Sequence, residues 1–205
     1  MGEEDFFARV YKLEKDKEIY DLYTEWADSY EQDVIQNGYR TPERCANDLA
    51  NVTRDFSLPI LDIGCGTGYS GLALQKAGFT TIDGTDINPS MLAMAQSRKI
   101  YNNVYLGTIE NPFPDNASSY AVISAIGVIG SGAAPVGILK ETVKILAPDA
   151  YFVFSLNEHT LKDPVFSEAI KESIEAGVCD LVSKSMGPHL EKLNTKSAVF
   201  VLRKK

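Results

Sequence analysis

Leu61-Asp62-Ile63-Gly64-Cys65-Gly66-Thr67-Gly68, with Gly71 three residues further on, decides how this chain folds. A mostly apolar run from Leu58 to Ile63 leads into the glycine-rich turn, and a helical pattern, Leu72-Ala73-Leu74-Gln75-Lys76-Ala77, leaves it. By such a strand, glycine turn and helix, an α/β sheet brings bare backbone and a helix N-terminus against a nucleotide-like ligand. Gly64, Gly66 and Gly68 permit tight backbone geometry and leave room where a side chain would collide with that ligand. Asp62 stands just before the first glycine, where a phosphate-binding loop usually avoids negative charge. It suits a ligand with a positive group, held directly or through water.

Further elements extend from this unit in both directions. Before it, Glu3 to about Asn37 is helical in pattern, and Thr41 can cap a helix that begins with Pro42 and runs to about Arg54. After strand one (Pro59 to Ile63), strands are expected at Thr80–Asp86, Val104–Leu106, Tyr120–Ala125 and Ala150–Leu156. Asn88 caps a helix carrying Met91, Leu92 and Ala95 on one side. Pro135 starts a helix that Pro148 stops. Asp163-Pro164 starts another, with Gly177 as its C-terminal cap. Val178–Ser185 and Ser197–Arg203 close the chain as strands without a helix between them, an antiparallel pair at one edge. The expected architecture is α/β: a doubly wound, mostly parallel sheet of seven strands, Rossmann-like, with an N-terminal helical lid. Residues 1–205 form one domain, 1–54 its helical cap and 55–205 the ligand-binding sheet and helices.

The formal net charge is -8 and the pI about 4.8, which disfavours nucleic acid and anionic membranes as partners. The three cysteines Cys45, Cys65 and Cys179 form neither a disulfide framework nor a zinc spacing, which fits a reducing, cytoplasmic location. No metal site is arguable from two histidines. The acidic start Met1-Gly2-Glu3-Glu4-Asp5 is no signal peptide. Tyr120 to Leu139 carries no charge over a length that could span a membrane, but its glycines and Pro135 read as strand, loop and helix start.

Candidate binding residues follow the strand ends. Asp86 ends strand two, where its carboxylate can accept both hydroxyls of a ribose. Ile87 and Met91 can pack on an adenine, and Gly107-Thr108-Ile109-Glu110 after strand three can meet its edge. Ser124, with Ala125, Ile126 and Gly127, follows strand four as a small, apolar pocket wall. Tyr20, Tyr23, Trp26, Tyr30 and Tyr39 can cover the ligand from the N-terminal region. An aromatic stripe is more often a core signature than a binding feature, but excluding water from an electrophile favours contact by Tyr30 or Trp26. His159, after strand five, is the one weak candidate for a general base, and a loop histidine is the commoner case. Gly66-Thr67-Gly68-Tyr69-Ser70-Gly71 also matches G-x-G-x-x-G, which keeps an NAD(P)-dependent oxidoreductase as an alternative. Against it, these glycines lie two or three residues too far beyond the strand.

LDIGCGTG followed by DINPSML resembles motifs I and II of the class I S-adenosylmethionine-dependent methyltransferases. Tyr20-Asp21-x-x-x-x-Trp26-Ala27-x-x-Tyr30 and Tyr39-Arg40-x-Pro42 resemble the methyltransferase-like proteins of the Williams–Beuren syndrome chromosome region. The resemblance implies S-adenosylmethionine as cofactor, its methionine part on Gly64, Gly66 and Gly68, its ribose on Asp86 and its adenine by Ile109. Thr108 departs from the aspartate many members carry there. Neither an Asn/Asp-Pro-Pro-Tyr/Phe tetrapeptide nor a Pro-Cys pair is present, so nucleobase methylation of those types is not implied. The expected activity is methyl transfer to a small or medium-sized acceptor, and a cofactor-binding protein without transferase activity is the non-enzyme alternative.

Overall fold

A computed structural model describes Phe6, Arg9, Leu13 and residues 16–205. The acidic start and most of the expected helix before Asp16 lie outside the described residues. The helices are α1 (Asp16–Gln36), α2 (Thr41–Thr53), α3 (Tyr69–Lys76), α4 (Pro89–Ser97), α5 (Val136–Ile145) and α6 (Pro164–Glu175). The strands are β1 (Ile60–Ile63), β2 (Ile82–Asp86), β3 (Val104–Leu106), β4 (Val122–Ala125), β5 (Tyr151–Asn157), β6 (Cys179–Pro188) and β7 (Lys196–Lys204).

The seven strands form one sheet in the order β3-β2-β1-β4-β5-β7-β6. The first five are parallel, and β7 enters antiparallel between β5 and β6. The strand order reverses between β1 and β4, so their carboxyl ends open a crevice, the usual ligand position in such sheets.

The period-two alternation of the strands sorts side chains onto two faces. Leu61, Ile63, Ile123, Phe152, Phe154 and Phe200 pack with Leu139 and Val143 of α5 and Phe166 and Ile170 of α6. Phe152, Phe154 and Phe200 stack in series, at centroid separations of 4.5 and 5.1 Å. Burying each such ring stabilises the fold by ~1.5–3 kcal/mol. Ile60, Val122, Val153, Val199 and Val201 face the other way, against Leu49 of α2 and Leu74 of α3. Asp62 pairs in register with Ser124 on this second face, an arrangement that matters below.

Helix ends follow local chemistry. The Asn88 side chain accepts from the backbone N–H groups of Ser90 and Met91, satisfying two otherwise orphaned donors. At the end of α6, Gly177 (φ 68°) lets Val178 N–H reach Ser173 O and Gly177 N–H reach Ile174 O, the paired bonds of a glycine-terminated helix. The expected cap by Thr41 is corrected. Arg40 holds the cap position of α2 without a side-chain bond. The Thr41 hydroxyl is instead engaged by His189 Nδ1 and Ser197 Oγ, both at 2.8 Å. The uncharged stretch from Tyr120 to Leu139 forms β4, a loop and the start of α5. Among the described residues, no helix is long and apolar enough to cross a membrane.

Candidate active site

The crevice at the carboxyl ends of β1, β2 and β4 is a cleft of about 1250 Å³, open solvent included. Of the residues singled out from the sequence, it gathers Gly64, Cys65 and Gly66 from the loop, and Asp86, Ile87 and Met91 from β2 and α4. Ile109 and Tyr30 complete that set, and Tyr20, Tyr23 and Tyr39 also line the cleft. Helix α1 is held over the loop by two tethers. Asn88 Nδ2 donates to Thr24 Oγ1 at 2.7 Å. Arg98 pairs with Glu31 and donates through Nε to Thr67 O at 2.7 Å.

The three motif glycines answer to three different constraints. A Cβ on Gly64 would stand 2.6 Å from Val128 Cγ2, and one on Gly68 would stand 2.9 Å from Arg98 Cδ. Both are therefore required by the protein's own packing. A Cβ on Gly66 would meet only Gly64 O, at 4.0 Å. With φ at 55°, Gly66 borders space that no protein atom fills. Gly71 admits the Tyr101 ring, whose hydroxyl accepts from Gly71 N–H at 3.1 Å.

Six residues singled out from the sequence lie outside the lining of this cleft. Asp62 is fully buried and does not line it. Its Oδ2 accepts from Ser70 Oγ (2.5 Å) and Tyr101 Oη (2.8 Å), and its Oδ1 from Ser124 Oγ (2.7 Å). The strand alternation turns Asp62 under α3, so it fastens the loop's helix to β1 and β4. Burial raises its carboxyl above the ordinary range, and the three hydroxyls oppose that rise. Ser124 is spent in the same network. Gly68 lies behind the loop, against α4. Thr108 turns outward, its backbone N–H donating to Asn111 O and its Oγ1 accepting from Asn111 N–H. Trp26 stands beside the cleft: its Nε1 donates to Asp33 Oδ2 at 2.7 Å, and its ring meets Tyr30 edge-on at 4.9 Å. His159 is exposed and lines neither this cleft nor its neighbour.

That neighbour is a second, smaller cavity of about 600 Å³, open solvent included, which shares Tyr23, Tyr30, Tyr39, Gly127 and Ala133 with the first. Trp26, Asn157 and His189 also line it. His189 had no signal in the sequence, because it lies between the two closing strands, far along the chain from Thr41 and Tyr39. The reading missed Tyr69, Asn88 and Val128 of the first cleft as well. They stand one or two residues beyond a recognised glycine, strand end or wall residue: Gly68, Asp86 and Gly127.

Residues 61–154 match the methyltransferase domain family. Methyltransferase-like protein 27 of Homo sapiens is 31% identical over 123 residues, 58% of this chain and 50% of that protein. The ubiquinone biosynthesis O-methyltransferase of Vibrio parahaemolyticus is 24% identical over 116 residues, 55% of this chain and 49% of the relative. The chain thus spans about half the length of both. An 18S rRNA guanine-N(7)-methyltransferase of Saccharomyces cerevisiae is 40% identical over 70 residues, 34% of this chain and 26% of that one. Among solved structures, a Haloferax volcanii methyltransferase in complex with the activator Trm112 superposes with a TM-score of 0.67 at 15% identity, covering 91% of this chain and 97% of that one. The domain match weighs against the nicotinamide alternative.

The domain match implies S-adenosylmethionine as the cofactor, and the residues present fit it. Thr67 Oγ1 is the one buried side-chain polar atom without a hydrogen-bond partner among the described residues, and Thr67 lines the cleft. A buried hydroxyl left unpaired is costly, and this one sits in the loop that borders the cleft. Among the described residues, Asp86 is the only acidic or basic side chain lining the cleft, which suits a cationic sulfonium. Burial holds its carboxyl above the usual range, against the opposing backbone N–H groups of Asn88 and Gly66.

His189 is held neutral. Burial and the Arg44 guanidinium lower its pKa from 6.5 to about 4. The unfolded chain therefore binds a proton that the folded chain refuses between these values. Stability is expected to fall as the pH drops from about 6.5 to about 4 and to level off below, by up to ~3 kcal/mol at 1.36 kcal/mol per pH unit. Urea unfolding of the wild type and His189→Gln across this range checks it, because the difference between the two curves isolates this group from the carboxylates. A constant difference would refute it.

Proposed function

We propose that this chain transfers the methyl group of S-adenosylmethionine to a small or medium-sized acceptor held in the second cavity. The carrying observation is the shared wall of the two cavities, in which Tyr23, Tyr30, Tyr39, Gly127 and Ala133 border both. Two ligands seated side by side would meet across it. The bound cofactor supplies an already activated methyl group. The chain's task is then alignment and dryness. Asp86 holds the ribose end, Gly66 gives the methionine end its room, and the tyrosines exclude water at the junction. Desolvation strengthens the electrostatic contacts between the two ligands. The ubiquinone-pathway relative favours a small acceptor. The rRNA relative and the Trm112-bound neighbour make nucleic acid or a protein activator the competing partners. The net charge of -8 weighs against nucleic acid.

The test is thermal unfolding followed by turnover. S-adenosylmethionine and its demethylated product are expected to raise the melting temperature. A ligand at a hundred times its dissociation constant adds ~2.7 kcal/mol to stability. NADH and NADPH are expected to leave it unchanged. Transfer of labelled methyl to small molecules, and none to RNA, completes the test. Stabilisation by the nicotinamide dinucleotides alone would overturn the reading, as would exclusive labelling of RNA.

A further inference from the structure

We propose that His189 is an acceptor-binding residue, presenting a fixed Nε2–H donor to an uncharged aromatic molecule that carries an oxygen remote from the methylated atom. The proposal rests on the reading of the second cavity as the acceptor chamber, and names the class of molecule that enters it.

A directed chain of hydrogen bonds fixes the proton on His189. Arg44 Nη1 donates to Ser197 Oγ at 2.9 Å, and a guanidinium can only donate. Ser197 Oγ lies 2.8 Å from Thr41 Oγ1, which lies 2.8 Å from His189 Nδ1. Ser197 is fully buried, and Thr41 Oγ1 is the one acceptor the structure offers its hydroxyl proton. A buried hydroxyl uses its proton when an acceptor is at hand, so Ser197 donates to Thr41. Thr41, also fully buried, then has its own proton for Nδ1. Nδ1 is an acceptor, and the ring proton of neutral imidazole sits on Nε2. The lowered pKa keeps the ring neutral near pH 7, so this tautomer persists there.

Nε2 has no hydrogen-bond partner among the described residues. Nor is it sealed away, since Thr67 Oγ1 is the only sealed side-chain atom without one among the described residues. It is left open, and the cavity His189 lines is the second one. The Tyr39 ring stands perpendicular to the imidazole at 5.2 Å and restrains its tilt.

The rest of the chamber selects the molecule. Among the described residues no carboxylate, lysine or arginine lines it and His189 is neutral, so a charged acceptor would lose its hydration uncompensated. Tyr23, Tyr30 and Tyr39 line it with aromatic rings, which favour a flat aromatic body. Ser155 Oγ already accepts from Gly127 N–H, and Asn157 Oδ1 from Thr160 N–H. The fixed Nε2–H therefore calls for a hydroxyl, methoxy or carbonyl oxygen. A donor on the attacking atom would draw away its electron pair, so the oxygen at His189 is an anchor and a second group faces the methyl.

The test has an arm that needs no activity. The chain has two histidines, so His159→Gln leaves His189 as the only ring in a ¹⁵N long-range NMR spectrum. The expected pattern near neutral pH is protonated Nε2 with unprotonated Nδ1, and Thr41→Val should mix the tautomers. Protonated Nδ1 in the parent protein would overturn the proposal. In the second arm, phenol, catechol, anisole, 4-hydroxybenzaldehyde and toluene are titrated into protein saturated with S-adenosylhomocysteine. The oxygen-bearing rings are expected to bind and to shift the Nε2–H signal, and toluene to bind more weakly. His189→Phe should weaken the oxygen-bearing rings by roughly tenfold, His189→Gln should restore part of that, and neither should change affinity for S-adenosylhomocysteine. Failure of S-adenosylhomocysteine to bind would sink the reading of the first cleft. Normal S-adenosylhomocysteine binding with no ring bound, or with rings indifferent to His189→Phe, would sink this proposal alone.

Discussion

Gly66→Val is expected to eliminate measurable S-adenosylmethionine binding from a protein that still folds. The position combines two properties. Its φ is 55°, and a Cβ there would meet no protein atom closer than Gly64 O at 4.0 Å. The valine methyl groups would therefore find no protein clash and would extend into the cleft. Holding a branched residue in the left-handed region costs ~1–3 kcal/mol, which a fold of ordinary stability survives. Gly177→Val supplies the matching control. Its φ is 68°, nothing lies within 4 Å of an added Cβ, and it caps α6 away from the cleft. Both variants should lose similar stability in urea, and only Gly66→Val should lose cofactor binding by calorimetry. Unchanged affinity in Gly66→Val would remove the loop from the site.

The comparison of these glycines shows what the sequence could convey. The motif announced the strand, the turn and the helix because each is local: apolar run, glycines, then helical periodicity. It could not distinguish Gly66, which borders empty space, from Gly64 and Gly68, whose neighbours Val128 and Arg98 come from distant segments. Asp62 misled for the same reason. Its three hydroxyl partners are 8, 39 and 62 residues away, and only the β1–β4 register brings Ser124 beside it. Asp86 was legible because the end of β2 is set by its own strand pattern. The order β5-β7-β6 was not fully legible. The pair at the edge was evident, but nothing local dictates that the last strand inserts between its predecessors. That insertion carries His189 back to Tyr39, across the isolated bridge of Tyr39 with Leu190, and leaves the exposed His159 outside.

Asp86→Ala is expected to weaken cofactor binding by roughly tenfold to a thousandfold, since hydrogen bonds to a charged group are worth ~1.5–3 kcal/mol each. The geometry shows why this carboxylate has capacity for two ribose hydroxyls. Oδ2 accepts Gly66 N–H and Oδ1 accepts Asn88 N–H, both at 2.8 Å. Each oxygen keeps about one further lone-pair site, which matches a vicinal diol. The same bonds make Asp86→Asn harsher than a simple amide exchange, because its NH₂ must face one of these backbone donors. It should still accept one ribose hydroxyl and so lose less than alanine does. Acid should act likewise. Burial raises this carboxyl's pKa, so affinity should fall as the pH is lowered through that raised value, earlier than for an ordinary carboxylate, and Asp86→Asn should lack that fall. Asp83, in the same strand, is the contrast. It accepts Asn103 N–H at 2.9 Å and Tyr120 Oη–H at 2.6 Å and does not line the cleft. Asp83→Ala should therefore lower stability by ~1–3 kcal/mol through the donors it leaves unpaired, with cofactor affinity nearly unchanged. Calorimetry on both variants decides: if Asp83→Ala loses affinity and Asp86→Ala keeps it, the ribose is held elsewhere along β2.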